Sequence, residues 1–227
     1  MDFYNDWKDS MFNIEENKKF TKKFLAKAPE SLEVFYNGTS EELINVCKFL
    51  LNIPISNFVY CIDKNIECKT DMIIQYSNLE HAIIDVPKVL KFKNEPLTFA
   101  QIGKIIIRAK EEGACKKYGE NHSKVAAELS MVKLERKSAT IVSNTAFGNF
   151  SVDLSDEDRK ELVKRLAIRN EFIQKLIYLA KKDFVNYMEV AELTLSNSTA
   201  LRRKSNNKQV ISMILEGNEI LNNIAWW

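Results

Sequence analysis

Side chains that can bind phosphates and base edges are concentrated in residues 198–209. This stretch interleaves basic side chains with hydroxyl and amide groups, and no acidic residue occurs between Glu192 and Glu216. Cations can neutralise phosphates and bind guanine, whereas amides can pair with adenine. The candidate DNA contacts here are Ser198, Thr199, Arg202, Arg203, Lys204 and Asn207. The competing interpretation is a solvated helix face without a ligand.

The residues around this stretch have the spacing of a helix-turn-helix. A first helix is expected to place the small Ala191 where a second helix crosses closely. Leu193 and Leu195 are expected to bury the turn, and Ser198 or Thr199 to cap the second helix. Amide groups at such a helix start can also face a phosphate. The pattern predicts a recognition helix, although helical hairpins in bundles have a similar spacing.

A second group of candidate contacts lies in the middle of the chain. Helices are predicted at 98–113 and 121–129, followed by short strands at 131–134 and 140–143. Two helices and a polar-tipped hairpin, in this order, are typical of a winged helix. Its candidate DNA contacts are Lys116, Lys117, Tyr118, Asn121, His122, Lys124, Arg136 and Lys137. The alternatives are a solvated turn for the lysines and a capping or surface role for His122.

Polar capping residues predict where helices begin in the second half of the chain. Thr98 and Asn121 are expected to cap two helices, the first of which stops near Gly113. Ser155 and Asn170 are expected to cap two more, because their side-chain oxygens can accept from free backbone amides. No low-complexity tract or fixed-period repeat is evident. The elements therefore fit a largely helical C-terminal half.

Residues 97–215 resemble a known family. The segments VAAELSMV at 125–132 and TIVSNTAFG at 140–148 are followed by a second helix-turn-helix that contains Arg202 and Arg203. This order resembles the recognition domains of type IIS restriction endonucleases of the FokI kind. Ser143 is a departure, because the pattern usually has Leu there. The resemblance implies sequence-specific recognition of double-stranded DNA by tandem winged helices.

The first hundred residues differ from the rest in residue composition. Runs rich in β-branched and aromatic residues predict short strands at 57–62, 72–76 and 81–86. The expected fold is thus mainly α, with a small α/β domain at 1–95 and the tandem winged-helix or helix-turn-helix domain at 96–227. Summing Lys and Arg against Asp and Glu, residues 1–97 carry −3 and residues 98–227 carry +5.

A nuclease of the PD-(D/E)xK type is the corresponding expectation for the N-terminal domain. The segment KTDMII at 69–74 resembles the first motif, with Asp71 as its acid, and the next predicted strand supplies Asp85 and Lys88. In that family the acids bind Mg²⁺ and the lysine positions or activates water. Lys88 follows Asp85 by three positions instead of two, so on a strand the two side chains point to opposite faces unless a bulge intervenes.

Two alternatives remain open for these residues. Glu67 and Lys69 have the family's spacing and form a second possible frame. A hairpin with surface charges explains all of them without a site. The N-terminal domain is accordingly expected to be either a minimal or a degenerate nuclease, with Mg²⁺ as the cofactor if it is active and none otherwise.

The cysteines and the lengths of the apolar runs do not fit a zinc finger, a secreted protein or a membrane protein. Cys47, Cys61, Cys68 and Cys115 form no C-x-x-C pair, and the sequence has only two histidines, which does not fit a zinc finger. No signal-peptide pattern and no membrane-length apolar run is present. We therefore expect a soluble cytoplasmic protein with no membrane partner.

Three functional hypotheses follow from the sequence. The first is a restriction-endonuclease-like protein that binds specific double-stranded DNA and cleaves it with Mg²⁺. The second is a non-catalytic specificity subunit or repressor, which acts as a homodimer or with a catalytic partner subunit. The third is an interaction protein whose helix-turn-helix units serve only in packing.

Overall fold

The computed structural model describes residues 14–75, 78–107 and 111–227, which are mainly helical. The first hundred residues contain α1 (Ile14–Leu25), α2 (Pro29–Asn37), α3 (Ser40–Asn52), α4 (Ile55–Cys61) and α5 (Val86–Lys93). The later helices are α6 (Phe99–Ile107), α7 (Glu112–Glu128), α8 (Ala146–Ser151), α9 (Asp156–Ala167), α10 (Glu171–Ala180), α11 (Tyr187–Glu192) and α12 (Asn197–Ile214).

The predicted α/β character of the N-terminal segment is wrong. The expected strand at 57–62 lies mostly within α4, and the one at 81–86 is a π turn at His81–Asp85 that continues into α5. The one at 72–76 begins in a 3-10 turn at Thr70–Met72, and its last residue lies outside the described residues. A short apolar run buried on several sides has no period that separates strand from helix. Pro87 is the second residue of α5 and follows the π turn directly, so a residue without a backbone N–H lies where the helical backbone changes its hydrogen-bonding pattern.

The first strand–helix–helix unit comprises residues 97–144. Strand β1 (Leu97–Thr98) leads into α6 and α7, and the hairpin of β2 (Val132–Arg136) and β3 (Thr140–Asn144) follows. All pairings are antiparallel, and β3 lies between β1 and β2. The predicted order of two helices and a hairpin is therefore present.

The second strand–helix–helix unit comprises residues 185–214. Strand β4 (Val185–Asn186) leads into α11 and α12, but no hairpin follows within the described residues. Instead a 3-10 turn leads to β5 (Ile224–Ala225), which pairs with β4 in parallel. Both units therefore consist of a strand followed by two helices, but the strand that pairs with the first strand differs between them.

The segments 97–103 (LTFAQIG) and 185–191 (VNYMEVA) are a structural repeat. In each, a paired strand residue precedes a polar cap, a buried aromatic, a buried aliphatic and a small residue where the helices cross. This repeat was not predicted from the sequence, although the two segments align without a gap. The matched pairs are Leu97 and Val185, Thr98 and Asn186, Phe99 and Tyr187, Ile102 and Val190, and Gly103 and Ala191.

Most of the predicted caps are confirmed. The Thr98 hydroxyl accepts from the Gln101 amide, Ser155 accepts from the Asp158 amide, and Asn170 accepts from two amides of α10. Asn121 is not a cap, because α7 begins earlier and contains it. The helix extends almost three turns further toward the N-terminus than the sequence indicated, so Asn121 lies within it.

Buried arginines join the N-terminal helices to the rest of the chain. Arg169 follows α9 and is fully buried, with its guanidinium carbon 4.9 Å from the centre of the Phe24 ring and its Nη2 donating to the Ser130 hydroxyl at 3.0 Å. Arg165 donates to the carbonyls of Leu50 and Ile53. One apolar core runs from α1 to β5, and the division at residue 95 stays a prediction.

No described helix is by itself long and apolar enough to cross a membrane. Helices α3 and α4 pass that test of length and composition only as a pair, and they are bent by 80° relative to each other.

Candidate nucleic-acid interface

Helix α7 presents a polar outer face. The side chains of Lys116, Lys117 and Lys124 are exposed, and Asn121 is half-buried beside them. Two acidic residues lie beside these cations: Glu112 is exposed one turn before Lys116, and Glu120 forms an ion pair with Lys124 at 2.5 Å. The structure thus brings four of the predicted contacts together, with Lys116 and Lys117 lying outside that ion pair.

Two further predicted contacts on α7 point inward. His122 is fully buried, and its Nδ1 donates to the Tyr118 carbonyl at 2.8 Å. Tyr118 is half-buried, with its ring stacked on His122 and its hydroxyl hydrogen-bonded to Nδ1 of His81. Burial, and secondarily the neighbouring His81, lower the pKa of His122 to about 4. His122 is therefore a neutral core residue, and neither the predicted DNA contact nor the capping or surface alternative describes it.

The tip of the β2–β3 hairpin is exposed and basic. Arg136 and Lys137 are exposed there, and Lys137 forms an ion pair with Glu135 at 3.2 Å. A groove of about 670 Å³ separates this tip from the first half of α7. Lys116 and Glu120 line it from the helix side, so its walls carry both charges.

Helix α12 has an outer face that combines cations, hydroxyls and two amides, all exposed except the half-buried Lys204. Among the residues that the structure describes, no ion pair engages the cations on this face. An apolar side chain, Leu201, lies among them and is 48% exposed. The face consists of Asn197, Ser198, Leu201, Arg202, Lys204, Ser205, Lys208 and Gln209.

The start of α12 differs in detail from the prediction. Ser196, instead of Ser198 or Thr199, occupies the cap position, and its hydroxyl donates to the Thr199 hydroxyl at 3.0 Å. Ser198 is exposed within the first turn. Of the two leucines expected to bury the turn, Leu195 is buried, whereas Leu193 is 71% exposed.

Two predicted DNA contacts on α12 are used within the chain. The Arg203 guanidinium donates to the carbonyls of Thr70 and Ile73 and to the side-chain oxygen of Gln75, at 2.6 to 3.0 Å. Burial lowers the pKa of Arg203 from its ordinary value. Asn207 is fully buried and donates to the Ile74 carbonyl at 3.1 Å. Both residues fasten segment 69–75 onto α12.

Segment 69–75, held in this way, separates α12 from α7 and borders a cleft of about 660 Å³. We call this space the interunit cleft. Helix α7 contributes the opposite wall, and the hairpin reaches the cleft through Arg136. Its lining residues are Lys69, Thr70, Asp71, Ile73, Ile74, Gln75, Asn121, Lys124, Val125, Glu128, Arg136, Asn170 and Arg203.

No family model, curated protein or solved structure matches this chain. The proposals below therefore rest on the geometry of α7, α12, the hairpin and the interunit cleft.

The structure disperses the residues expected to form a nuclease site. Asp71 and Lys69 line the interunit cleft, whereas Asp85 and Lys88 do not. Asp85 lies in the π turn, with its carboxylate 3.8 Å from Nε2 of His81, and Lys88 is exposed on α5. Glu67 is exposed in the loop before the 3-10 turn. Among the described residues no group of three or more His, Cys, Asp or Glu side chains could hold a metal ion.

The strand geometry that motivated the Mg²⁺ site is absent from residues 14–75 and 78–95. The family pattern needs acids on neighbouring strands, and both segments that were expected to supply them are helical turns. Asp85 and Lys88 were expected to point to opposite faces of a strand. They are instead about one turn apart along helical backbone, so that expectation does not apply.

Proposed function

We propose that this chain binds double-stranded DNA in a sequence-specific manner through two helix-turn-helix units, of which the first has a hairpin wing. The observation that carries the proposal is the repeat: the same capped strand–helix–helix arrangement occurs twice, and each time the second helix exposes cations. If the units served only in packing, the buried faces of α7 and α12 would have to be similar, but their exposed faces would not both need cations.

The exposed face of α12 supports direct recognition of base edges. Arg202 can bind guanine in the major groove, and Gln209 can pair with adenine. Lys204 and Lys208 can neutralise backbone phosphates, which supply affinity without sequence information. Phosphate and base contacts are both needed for a specific complex, and this face offers both along one helix.

The first unit supports a second set of contacts. Lys116 and Lys117 on α7 are available for phosphates, while Glu120 offsets part of the charge of Lys124. Arg136 at the hairpin tip is exposed beside α7 and can bind a backbone phosphate there. Because α12 carries no acid on its outer face, we expect it to contribute more to affinity than α7 does.

We assign binding and no phosphodiester cleavage to the described residues. The helical surroundings of Asp71 and Asp85 favour a non-catalytic specificity subunit or repressor over a nuclease. A homodimer or a catalytic partner subunit stays a prediction within this proposal.

Selection from a duplex library with a randomised central segment tests the proposal. Wild-type protein is expected to enrich a defined motif, because Arg202 and its neighbours contact bases. Arg202→Ala should weaken binding to that motif by roughly ten- to a hundredfold and relax preference at one base pair. The matched control is Lys160→Ala, which removes an exposed cation on α9 and should leave the motif unchanged.

Failure to enrich any motif, together with equal retention of random duplexes, would contradict sequence-specific binding. If the Arg202→Ala variant enriched the same motif as the wild type to the same extent, the assignment of α12 as a helix that contacts bases would be contradicted.

A further inference from the structure

The interunit cleft is bordered by the helices that we propose to face DNA in both units. Asn121 and Lys124 of α7 form one wall. Arg203 of α12 reaches the cleft from the other unit and holds Lys69 and its neighbours there by binding the Thr70 and Ile73 carbonyls. Side chains from both units thus line the cleft, and Arg203 also holds segment 69–75 at its border.

The charges that line the cleft are unequal. Lys69, Lys124 and Arg136 are exposed cations at its edges. One lining acid, Glu128, is already neutralised, because Lys27 donates to it at 2.8 Å. Lys124 is offset in the same way by Glu120 at 2.5 Å. Asp71 is the other acid of the lining, so two exposed cations that no described ion pair engages, Lys69 and Arg136, face one uncompensated acid.

We propose that one sugar–phosphate strand of the bound duplex enters the interunit cleft, where Lys69, Lys124 and Arg136 bind its phosphates. The inference rests on the proposed DNA binding and deepens it, because it makes the two units act on a single duplex. Holding both units on one duplex raises the effective concentration of the second unit once the first has bound. Lys69 lies outside both units and becomes part of the interface only if the cleft is occupied.

The number of phosphates bound is measurable through salt. The slope of log K against log salt concentration changes by about 0.9 for each phosphate contact on B-form DNA. The test variant combines Lys69→Gln, Lys124→Gln and Arg136→Gln. The control variant combines Lys19→Gln, Lys88→Gln and Lys160→Gln, which removes the same charge from exposed positions outside the cleft.

Both variants and the wild type are titrated with one fluorescent duplex over a series of salt concentrations. The cleft variant should lose about two to three units of slope, whereas the control variant should keep the wild-type slope. Thermal unfolding of each variant, matched to the wild type, confirms that the fold is intact.

Wild-type slope in the cleft variant would overturn the inference while leaving the proposed function in place. Equal losses in both variants would also overturn it, because they would show that net charge alone acts. Inorganic pyrophosphate provides a further arm: if it raises the melting temperature of the wild type but not of the cleft variant, and the slopes stay equal, the cleft holds a small anion instead. Absence of any salt-sensitive DNA affinity in the wild type would reject the proposed function itself.

Discussion

Adjacent arginines on α12 have different surroundings. Arg202 is exposed and donates within its own helix to Thr199, whereas Arg203 is half-buried and binds two carbonyls and an amide oxygen of segment 69–75. Nothing in the sequence distinguishes these neighbours, because the distinction depends on a segment more than a hundred residues away. Side chains of α12 that bind segment 69–75 thus alternate along the helix with side chains that we assign to DNA.

Arg203→Ala should lower the free energy of unfolding by roughly 2 kcal/mol, because charged hydrogen bonds to the carbonyls of Thr70 and Ile73 are lost. Arg202→Ala should change it by less than about 0.5 kcal/mol. Denaturant titration of both variants measures the difference. Equal stability of the two variants would show that Arg203 does not anchor segment 69–75.

The stability of the protein should fall in acid through His122. Its pKa is about 4 in the folded chain, below the ordinary 6.5, so the unfolded chain takes up the proton first as pH falls. The stabilisation is complete above the ordinary pKa and is lost as pH falls from 6.5 toward 4. Between about pH 7 and about pH 4.5 this loss should be on the order of 2 kcal/mol.

His122→Asn provides the comparison, because Asn does not titrate. Unfolding free energies measured by denaturant across this pH range should decline less steeply for the variant than for the wild type. Parallel pH profiles would contradict a lowered pKa of His122 in the folded chain.

Close packing of helices is the recurring feature at the element scale. A Cβ atom on Gly103 would lie 1.9 Å from the Cys115 carbonyl oxygen, so α6 can cross α7 only with glycine there. The corresponding residue of the second unit is the fully buried Ala191. A small buried residue therefore occupies the same position in both units, in the helix that precedes the one we propose to face DNA.

Gly103→Ala should destabilise the protein by about 1–3 kcal/mol, because the clash involves backbone and cannot be relieved by a side-chain rotation. Gly113→Ala is the matched control, since the nearest atom to its Cβ is the Glu111 carboxylate oxygen at 3.8 Å. This control should be neutral or stabilising by roughly 0.5 kcal/mol. Thermal or denaturant unfolding distinguishes the two, and a tolerated Gly103→Ala would refute the crossing.

Local signals predicted elements well where the chain is capped and amphipathic. Thr98, Ser155 and Asn170 begin helices as expected, and the hairpin strands are within two residues of their predicted bounds. The N-terminal strands were wrong because segments such as 57–62 are short and rich in aromatic and β-branched residues, a composition that does not separate a strand from a buried helical turn. The repeat was missed because only the type of residue, and not its identity, is kept between the two units.

At the scale of the whole molecule, the N-terminal helices support the two units. Lys27, just after α1, forms ion pairs with Glu128 of α7 and Glu171 of α10 at 2.8 and 3.1 Å. Arg169 packs against Phe24 from the other side of this junction. Long-range contacts of this kind are not encoded in local spacing, so the sequence indicated the candidate faces of α7 and α12 but not the interunit cleft between them.

The most direct test of DNA binding is an anisotropy titration of a labelled mixed-sequence duplex at several salt concentrations. Wild-type protein should bind with an affinity that falls steeply as salt rises, because cations on α7 and α12 displace counterions from phosphates. Combining Arg202→Ala, Lys204→Gln and Lys208→Gln should reduce both the affinity and the salt dependence. An affinity that is absent or insensitive to salt in the folded wild-type protein would contradict the proposal that these helices bind DNA.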